Sequence, residues 1–498
     1  MANDGRVKLF AVRGSFLLLV VLAVFLTAGC SRQKDEAPDV IILHSGRIRG
    51  NVYPLSLQSI AALQHYQYLA GYVRKVREEA ARTGAKVLLV DLGDSLTGSF
   101  ASHVTGSENM VTFFNDAGYD AVILSNLDYA VQPHTLSKLK AKVLNPFQDA
   151  AAKPATDGTA FGTKLMAGDI PVFLLANFYG DTSSNQYPDR FPAWFGSTRT
   201  DVTPVRDYEK VLTGLDRKTG EGLTLLSWMK FESPKDPPEA FLQGLRQLGV
   251  NAILAHRIYG GKEKDAWSAS GFTDWQPPAS VNILRNNGGF ALARLDLKRD
   301  GTAWKVLKHQ LLPMTANTAP ADTTMVEAIS RYAPAISSAD ATLALLQESV
   351  APDAILKIYM TALATQPGTD AVLYSLQSIR QGWLAGELRS SQVFNSFPWT
   401  TPVVQLTLTP EQLATASAAL NLAILQKSGV TAESLTVTTS EFFGRLIATK
   451  LGLSPDSLRP TAHQSEFDYF VSYLKANPGA TTSPALSAGW VLSGKVQP

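Results

Sequence analysis

The sequence predicts an α/β protein of two domains, and three observations carry that prediction. The chain has 498 residues, more than one hydrophobic core ordinarily serves. Apolar, β-branched runs alternate with stretches of helical periodicity up to Asp300. Beyond it the pattern changes, through the linker-like "TANTAPADTT", to a second α/β unit starting near Pro352. With 45% hydrophobic and 18% charged residues the composition is globular. The formal charge is +2 and the 45 basic residues are spread along the chain, which argues against nucleic-acid binding.

At the N-terminus, Arg6, Lys8 and Arg13 precede an apolar stretch from Phe16 to Leu26 that has the length of a secretory h-region and is short for a membrane span. Leu26-Thr27-Ala28-Gly29-Cys30 follows and resembles a bacterial lipobox, which implies cleavage before Cys30 and lipid on its sulfur. The alternative is an uncleaved anchor helix. Cys30 is the only cysteine, so no disulfide forms within one molecule. Ser31 and Arg32 next to it imply outer-membrane sorting, and "SRQKDEAPD" reads as a polar tether.

The elements then come in order. "VIILHS" is a continuous apolar run of the kind that forms a strand buried on both faces. Residues 57–83 place Ile60, Leu63, Leu69, Val73 and Val76 at helical spacing, with a stop at Gly84. "AKVLLVDLGD" is a second buried strand, Asn109 to Ala117 a helix, and "YDAVILSN" a third strand. "IPVFLLAN", "GLTLLSW", "VNAILAH" and "FALARLDLK" continue the series. Residues 145–168 and 184–204, rich in small and polar residues, read as surface insertions. Met325 to Leu346 reads as largely helical.

Three strand ends carry a family resemblance. "IILHSGRIRGNV", "LLVDLGDSLTGS" and "AGYDAVILSNLDYA" resemble, in this order, the first motif blocks of the 5'-nucleotidase branch of the metallophosphoesterases, which read roughly ILHTNDxHG, LLVDAGDxxQGS and GYDAxxxGNHEFD. "LGVNAILAH" resembles the strand ending in a ligand histidine. "AVLYSLQSIRQGWLAGELRSSQVFNSFPWTTPVVQLTLTPEQL" is similar to the family's C-terminal substrate domain. The resemblance covers most of residues 38–450 and lies in the order of the blocks. Beyond the signal peptide (1–29) and tether (30–38) that the lipobox implies, it implies a four-layer αββα metallophosphoesterase-like sandwich over 39–312. A linker and connecting helix over 313–351 and a smaller 5'-nucleotidase C-terminal-like domain over 352–498 would follow.

The family's site holds two divalent metals about 3.5–4 Å apart, on carboxylates, imidazoles and an amide. Carried over position by position, much of that set is gone. Arg47 stands where the first Asp ligand is implied and Arg49 where the first His ligand is implied. The bridging Asp corresponds to Asp94, the Asn ligand to Asn126 and one His ligand to His256. Leu127 replaces the histidine that assists the leaving group, and Asp128 is the next acid. No GHxH block occurs between Gly260 and Leu297, and the chain has 7 histidines in all. A dinuclear centre is therefore not expected. A single divalent ion (Mn, Zn, Mg or Co) on Asp94, Asn126 and His256 is the alternative. Plainer roles stand beside it: Asp94 capping the next helix, Asn126 pinning a turn, His256 an ordinary loop-edge histidine.

In an extended segment, residues i and i+2 share a side, so Arg47 and Arg49 are expected to face the old metal pocket together. There a guanidinium would replace lost positive charge beside Asp94 or Asp128. In the second domain the family's NxGGIR block is Ser375-Leu376-Gln377-Ser378-Ile379-Arg380, so only the Ile-Arg end survives. Trp399 and Phe442 (or Phe443) correspond to the rings that would sandwich a base, although both also suit a core.

The expected function is that of an envelope-anchored lipoprotein with this fold, catalytically dead or strongly impaired and needing no cofactor. It would act in binding or scaffolding, with the membrane, a nucleotide or phosphate ligand, or an envelope protein as partner. The alternative is an active periplasmic or surface nucleotide phosphohydrolase with a reduced metal site, using Arg47, Arg49 and Arg380 on phosphate.

Overall fold

The computed structural model describes residues 36–53, 65–125, 127–128, 131–149, 161–179, 191–195, 198–204, 207–218, 220–230, 239–257, 282–286, 291–463, 465–481 and 489–493. The strands of the first half are β1 (Val40–Ser45), β2 (Lys86–Asp91), β3 (Ala121–Ile123), β4 (Lys142–Leu144), β5 (Phe147–Asp149), β6 (Gly162–Ala167), β7 (Ile170–Leu175), β8 (Phe178–Tyr179), β9 (Phe191–Phe195), β10 (Thr198–Pro204), β11 (Leu223–Lys230), β12 (Ala252–Arg257), β13 (Asn282–Asn286), β14 (Ala291–Asp300) and β15 (Ala303–Pro313).

Two sheets stack face to face. The first has the order β15-β14-β1-β2-β3-β4, the second β13-β12-β11-β7-β6 with β8 beside β11. Pairing is parallel along β1-β2-β3-β4 and antiparallel at β14 and β15. Alternation within each strand sets the layers. Val40 and Ile42 of β1 join Leu88 and Val90 of β2 in a core shared with Val172, Leu174, Leu223 and Leu254 of the opposite sheet. Ile41, Leu43 and Leu89 point the other way, onto helices Tyr66–Thr83, Glu108–Ala117 and Thr323–Ser330. Phe173, Leu175, Leu226 and Ile253 do the same on the outer face of the second sheet, against Tyr208–Gly214 and Glu239–Gln247. The result is an αββα sandwich, and burial on both faces explains why its strands are continuously apolar.

Helix Tyr66–Thr83 ends at Gly84 (φ 79°), as its sequence requires; the earlier part of the predicted 57–83 segment lies outside the described residues. The two segments read as surface insertions contain strands instead. β6 forms a hairpin with β7 across Gly168-Asp169, and β5, β10 and β9 form a small sheet of their own.

The second half contains β16 (Thr342–Leu346), β17 (Ala371–Tyr374), β18 (Gly386–Arg389), β19 (Val403–Leu408), β20 (Ala423–Lys427), β21 (Leu435–Ser440), β22 (Arg459–Pro460) and β23 (Trp490–Ser493). A mixed sheet of order β22-β19-β21-β17-β20-β23 packs against helices Pro352–Ala364 and Glu466–Ala476, while β16 pairs with β18. The expectation of helix from Met325 to Leu346 fails at β16. Leu343 and Leu346 are both buried although three residues apart, because the pairing register shifts between Thr342 and Ala344. That spacing mimics a helical face.

The core of this second half also takes in Tyr53, Phe100 and Ala101 from the first. Phe100 packs edge-on against Phe394 (6.1 Å) and Phe467 (6.4 Å), and the His103 ring stacks on Phe394 at 4.8 Å. The Tyr53 hydroxyl donates to Asn395 at 3.1 Å. These contacts hold the ends of β1 and β2 against the second domain.

Candidate functional site

The site lies where β1, β2 and β3 end, at the carboxyl edge of a parallel sheet, where side chains from successive loops converge. The loops after β1 and β2 are zipped together through their backbones. Arg47 N donates to Gly93 O (2.7 Å), Arg49 N to Asp94 O (3.1 Å) and Gly50 N to Ser95 O (2.8 Å). Arg47 (φ 58°), Arg49 (φ 55°) and Asp94 (φ 55°) all adopt the left-handed conformation. Non-glycine residues seldom do so, and such strain persists only where surrounding contacts impose it. Between the arginines Ile48 is fully buried in the core beneath the sheet.

Both guanidiniums reach the same carboxylate. Arg49 Nε lies 3.1 Å from Asp94 Oδ2 and Arg47 Nε 3.9 Å from it. The alternate arginines thus meet at one point, as expected, but not by strand geometry: a pair of left-handed residues flanking a buried isoleucine turns them there. The Asp94 side chain is 1% exposed, against 17% for Arg47 and 23% for Arg49. Its other oxygen, Oδ1, is buried without a hydrogen-bond partner among the described residues.

The neighbouring acids do other work. Asp128 accepts from the backbone N–H of Asp94, Leu96 and Ser125 and from the Ser125 hydroxyl, each at 2.9 Å. It pins the β2 loop to the β3 loop. Burial, with the nearby charge of Asp94, pushes its carboxyl up to about 6. Asp91 accepts from Ser45 (2.6 Å), Ser95 (3.0 Å) and the Gly93 N–H (2.9 Å); burial pushes it up to about 7 against those donors. Asp94 does not cap the following helix Phe100–Val104; Ser99 does, in a capping box with Ser102.

The second domain contributes Arg380. Its Nη1 donates to Gly98 O at 3.0 Å and its guanidinium lies 5.4 Å from the centroid of Trp399, whose Nε1 donates to Ser378 O. Burial pushes the Arg380 guanidinium down to about 9; Arg49 and Arg47 act in the same direction and Asp94 opposes them. Gly98 (φ 110°) lies between Arg49 and Arg380. A β-carbon there would lie 3.5 Å from both Arg380 Nη1 and Arg49 Cβ.

The structure therefore brings together Asp94, Arg47, Arg49 and Arg380, with Trp399 behind Arg380. Leu127 is close by, its carbonyl accepting from the Thr97 hydroxyl. Phe442 is exposed (45%) and meets Phe443, which packs into the second core. Cys30 and Asn126 lie outside the described residues, as does the side chain of His256, whose backbone lies one residue before the end of β12, opposite Met229. Sequence reasoning did not single out the clasp by Asp128, the cap at Ser99 or the docking of Phe100. Of these only the cap had a local signal, the Ser-x-x-Ser pattern before an apolar turn.

The donor set does not fit the metal pair that the resemblance implies. Asp94, the residue that would hold the metals, meets two guanidiniums through Oδ2, and a fixed positive charge at that distance opposes a divalent ion. Among the described residues, no cluster of three or more His, Cys, Asp or Glu side chains is placed to hold one.

No family model matches the chain, and no curated protein matches it in sequence. Solved structures do. A 5'-nucleotidase precursor from Thermus thermophilus superposes with a TM-score of 0.64 at 16% identity, over 88% of this chain and 96% of that one. A putative 5'-nucleotidase from Staphylococcus aureus gives 0.62 at 14% identity, over 88% and 97%. A 5'-nucleotidase from Candida albicans gives 0.61 at 12%, over 89% and 98%. The αββα sandwich, the docked second α/β domain and these superpositions together show that the chain has the two-domain fold of the 5'-nucleotidases.

Proposed function

We propose that this chain is a non-catalytic 5'-nucleotidase-fold protein that binds or scaffolds at a bacterial cell envelope, anchored by lipid on Cys30 and sorted to the outer membrane. One observation carries the loss of catalysis: the Arg49 and Arg47 guanidiniums sit on Asp94, the residue that matches the family's bridging ligand. They place positive charge beside a buried carboxylate, and they do so without an exchangeable site for hydroxide. Leu127, where an assisting histidine is implied, cannot protonate a leaving group. Fold alone carries no activity.

The test pairs metal analysis of the purified chain with hydrolysis of AMP, a UDP-sugar and phenyl phosphate in added Mn, Zn, Co or Mg. The expected result is no stoichiometric metal and no turnover above the Asp94→Ala variant. Stoichiometric metal with turnover abolished by Asp94→Ala would establish the rival instead, a single-metal phosphoesterase on Asp94, Asn126 and His256. For the anchor, fatty-acid label should enter the wild-type chain and be lost in Cys30→Ser.

A further inference from the structure

We propose that the edge of the first sheet where its parallel strands begin is a membrane-facing surface that meets anionic phospholipid headgroups, with the exposed Met166 at the bilayer interface. The proposal rests on the reading that lipid is attached to Cys30, and it names the face and the lipid class that such an anchor brings together.

The point where the chain enters the fold carries the argument. Asp39 fastens it between two strands: its N–H donates to Leu297 O (2.8 Å), and its carbonyl accepts from Lys86 N (2.9 Å). Its carboxylate accepts from Lys298 Nζ (2.7 Å) and Arg299 N (2.9 Å). Glu36 pairs with Lys305 Nζ at 3.4 Å, beside the start of β15. Six residue steps separate Glu36 from Cys30, a reach of at most about 20 Å. The lipid therefore draws this edge toward the bilayer. The Arg49–Asp94 pair and the docked second domain lie at the opposite end of β1 and β2, a strand length of about 20 Å away.

The chemistry of the edge suits a membrane surface. Lys298 and Lys305 are matched by Asp39 and Glu36. At the tips of the first sheet and its helix, however, Arg82, Lys86, Lys140, Lys142 and Arg299 are exposed and in no ion pair among the described residues. Two exposed acids, Asp169 and Asp300, stand at tips beside them, so the edge keeps a positive excess. Met166, on the edge strand β6, is 53% exposed. The turn beyond it lies against Lys86: a β-carbon on Gly168 would be 2.7 Å from Lys86 Cε. An exposed apolar side chain flanked by lysines can enter the interface while the ammonium groups stay at headgroup level. Unpaired basic groups held near the bilayer favour anionic over neutral lipid.

The experiment uses the full lipidated chain, reconstituted into vesicles of phosphatidylethanolamine and phosphatidylglycerol. Lipid on Cys30 leaves no free thiol, so Met166→Cys supplies the single site for an environment-sensitive fluorophore. A blue shift and at least about threefold weaker quenching by aqueous acrylamide are expected, both lost at about 1 M salt, where charge acts over only about 3 Å. Phosphatidylcholine vesicles should hold the anchored chain without the shift. Lys86→Glu combined with Lys142→Glu should abolish the shift, whereas Lys86→Arg with Lys142→Arg should keep it, which separates charge from folding. The same probe at Leu384→Cys, 67% exposed on the docked second domain, should stay in water throughout. No shift at Met166 in anionic vesicles, an equal shift at Leu384, or a shift indifferent to salt and to the glutamate variants would each overturn the membrane face. In those cases the chain still floats with the vesicles, and the anchor stands. Labelling of the wild-type chain at Cys30, or failure to float with either vesicle, would remove the anchor first and this surface with it.

Discussion

The alternation of Arg47, Ile48 and Arg49 shows how much a single residue decides at this site. Ile48 is driven into the core, and with both neighbours left-handed the flanking side chains must emerge over Asp94. A one-residue change in that pattern would expose Ile48 or bury a charge. The Arg49–Asp94 pair therefore stabilises by preventing a loss: an isolated buried carboxylate is the costly state. Arg49→Met is expected to lower stability by ~1–3 kcal/mol, below the full value for a buried pair because Arg49 is partly exposed and Arg47 remains. Urea denaturation measures it, and an unchanged midpoint would show that the pair contributes nothing. From the sequence, a guanidinium beside Asp94 or Asp128 was legible through the order of the motif blocks, whereas the reach of both arginines to Asp94 was not. The left-handed backbone was not, since neither arginine is a residue type that announces φ above zero.

At the scale of elements, the central strands were readable because burial on both faces leaves an unbroken apolar run, as in "VIILHS" and "KVLLVD". Strands in the Gly-, Pro- and Thr-rich segments were not, because their composition signals turns and β6 is held by a hairpin across Gly168-Asp169. β16 was hidden by its register shift. The clasp between the β2 and β3 loops was likewise invisible, since Asp128 acts on backbone groups that any sequence supplies. Its removal should be felt across both loops. Asp128→Asn turns an amide N–H₂ toward backbone N–H groups that now share two oxygens, and is expected to cost ~2–4 kcal/mol. Hydrogen exchange should quicken at the amides of Asp94, Leu96 and Ser125; unchanged protection there would refute the clasp.

The whole molecule is tied together by apolar contacts across the domains and by a buried polar group within the second. Phe100 is 2% exposed in a core that belongs mostly to the other domain, so the wild type should unfold in one calorimetric transition. Phe100→Ala should cost ~3–5 kcal/mol and separate the domains into two transitions. Glu466 gives the molecule its pH response. It accepts from Tyr374 (2.6 Å), Tyr359 (2.9 Å) and Thr401, yet burial outweighs these donors and pushes its carboxyl from 4.5 up to about 7. Between those values the folded chain holds a proton that the unfolded chain has released, so stability falls as pH rises through the window and is greatest below it. Asp91, pushed up to about 7, and Asp128, pushed up to about 6, act in the same direction. The urea midpoint should therefore rise as pH is lowered from about 7.5 to 5, opposite to the trend set by carboxylates in salt bridges. Glu466→Gln keeps the shape and removes the titration; its midpoint should vary less over that range. A wild-type midpoint that falls steadily toward pH 5 would mean that the donors, not burial, govern Glu466, and that the buried acids are ionised in the folded protein.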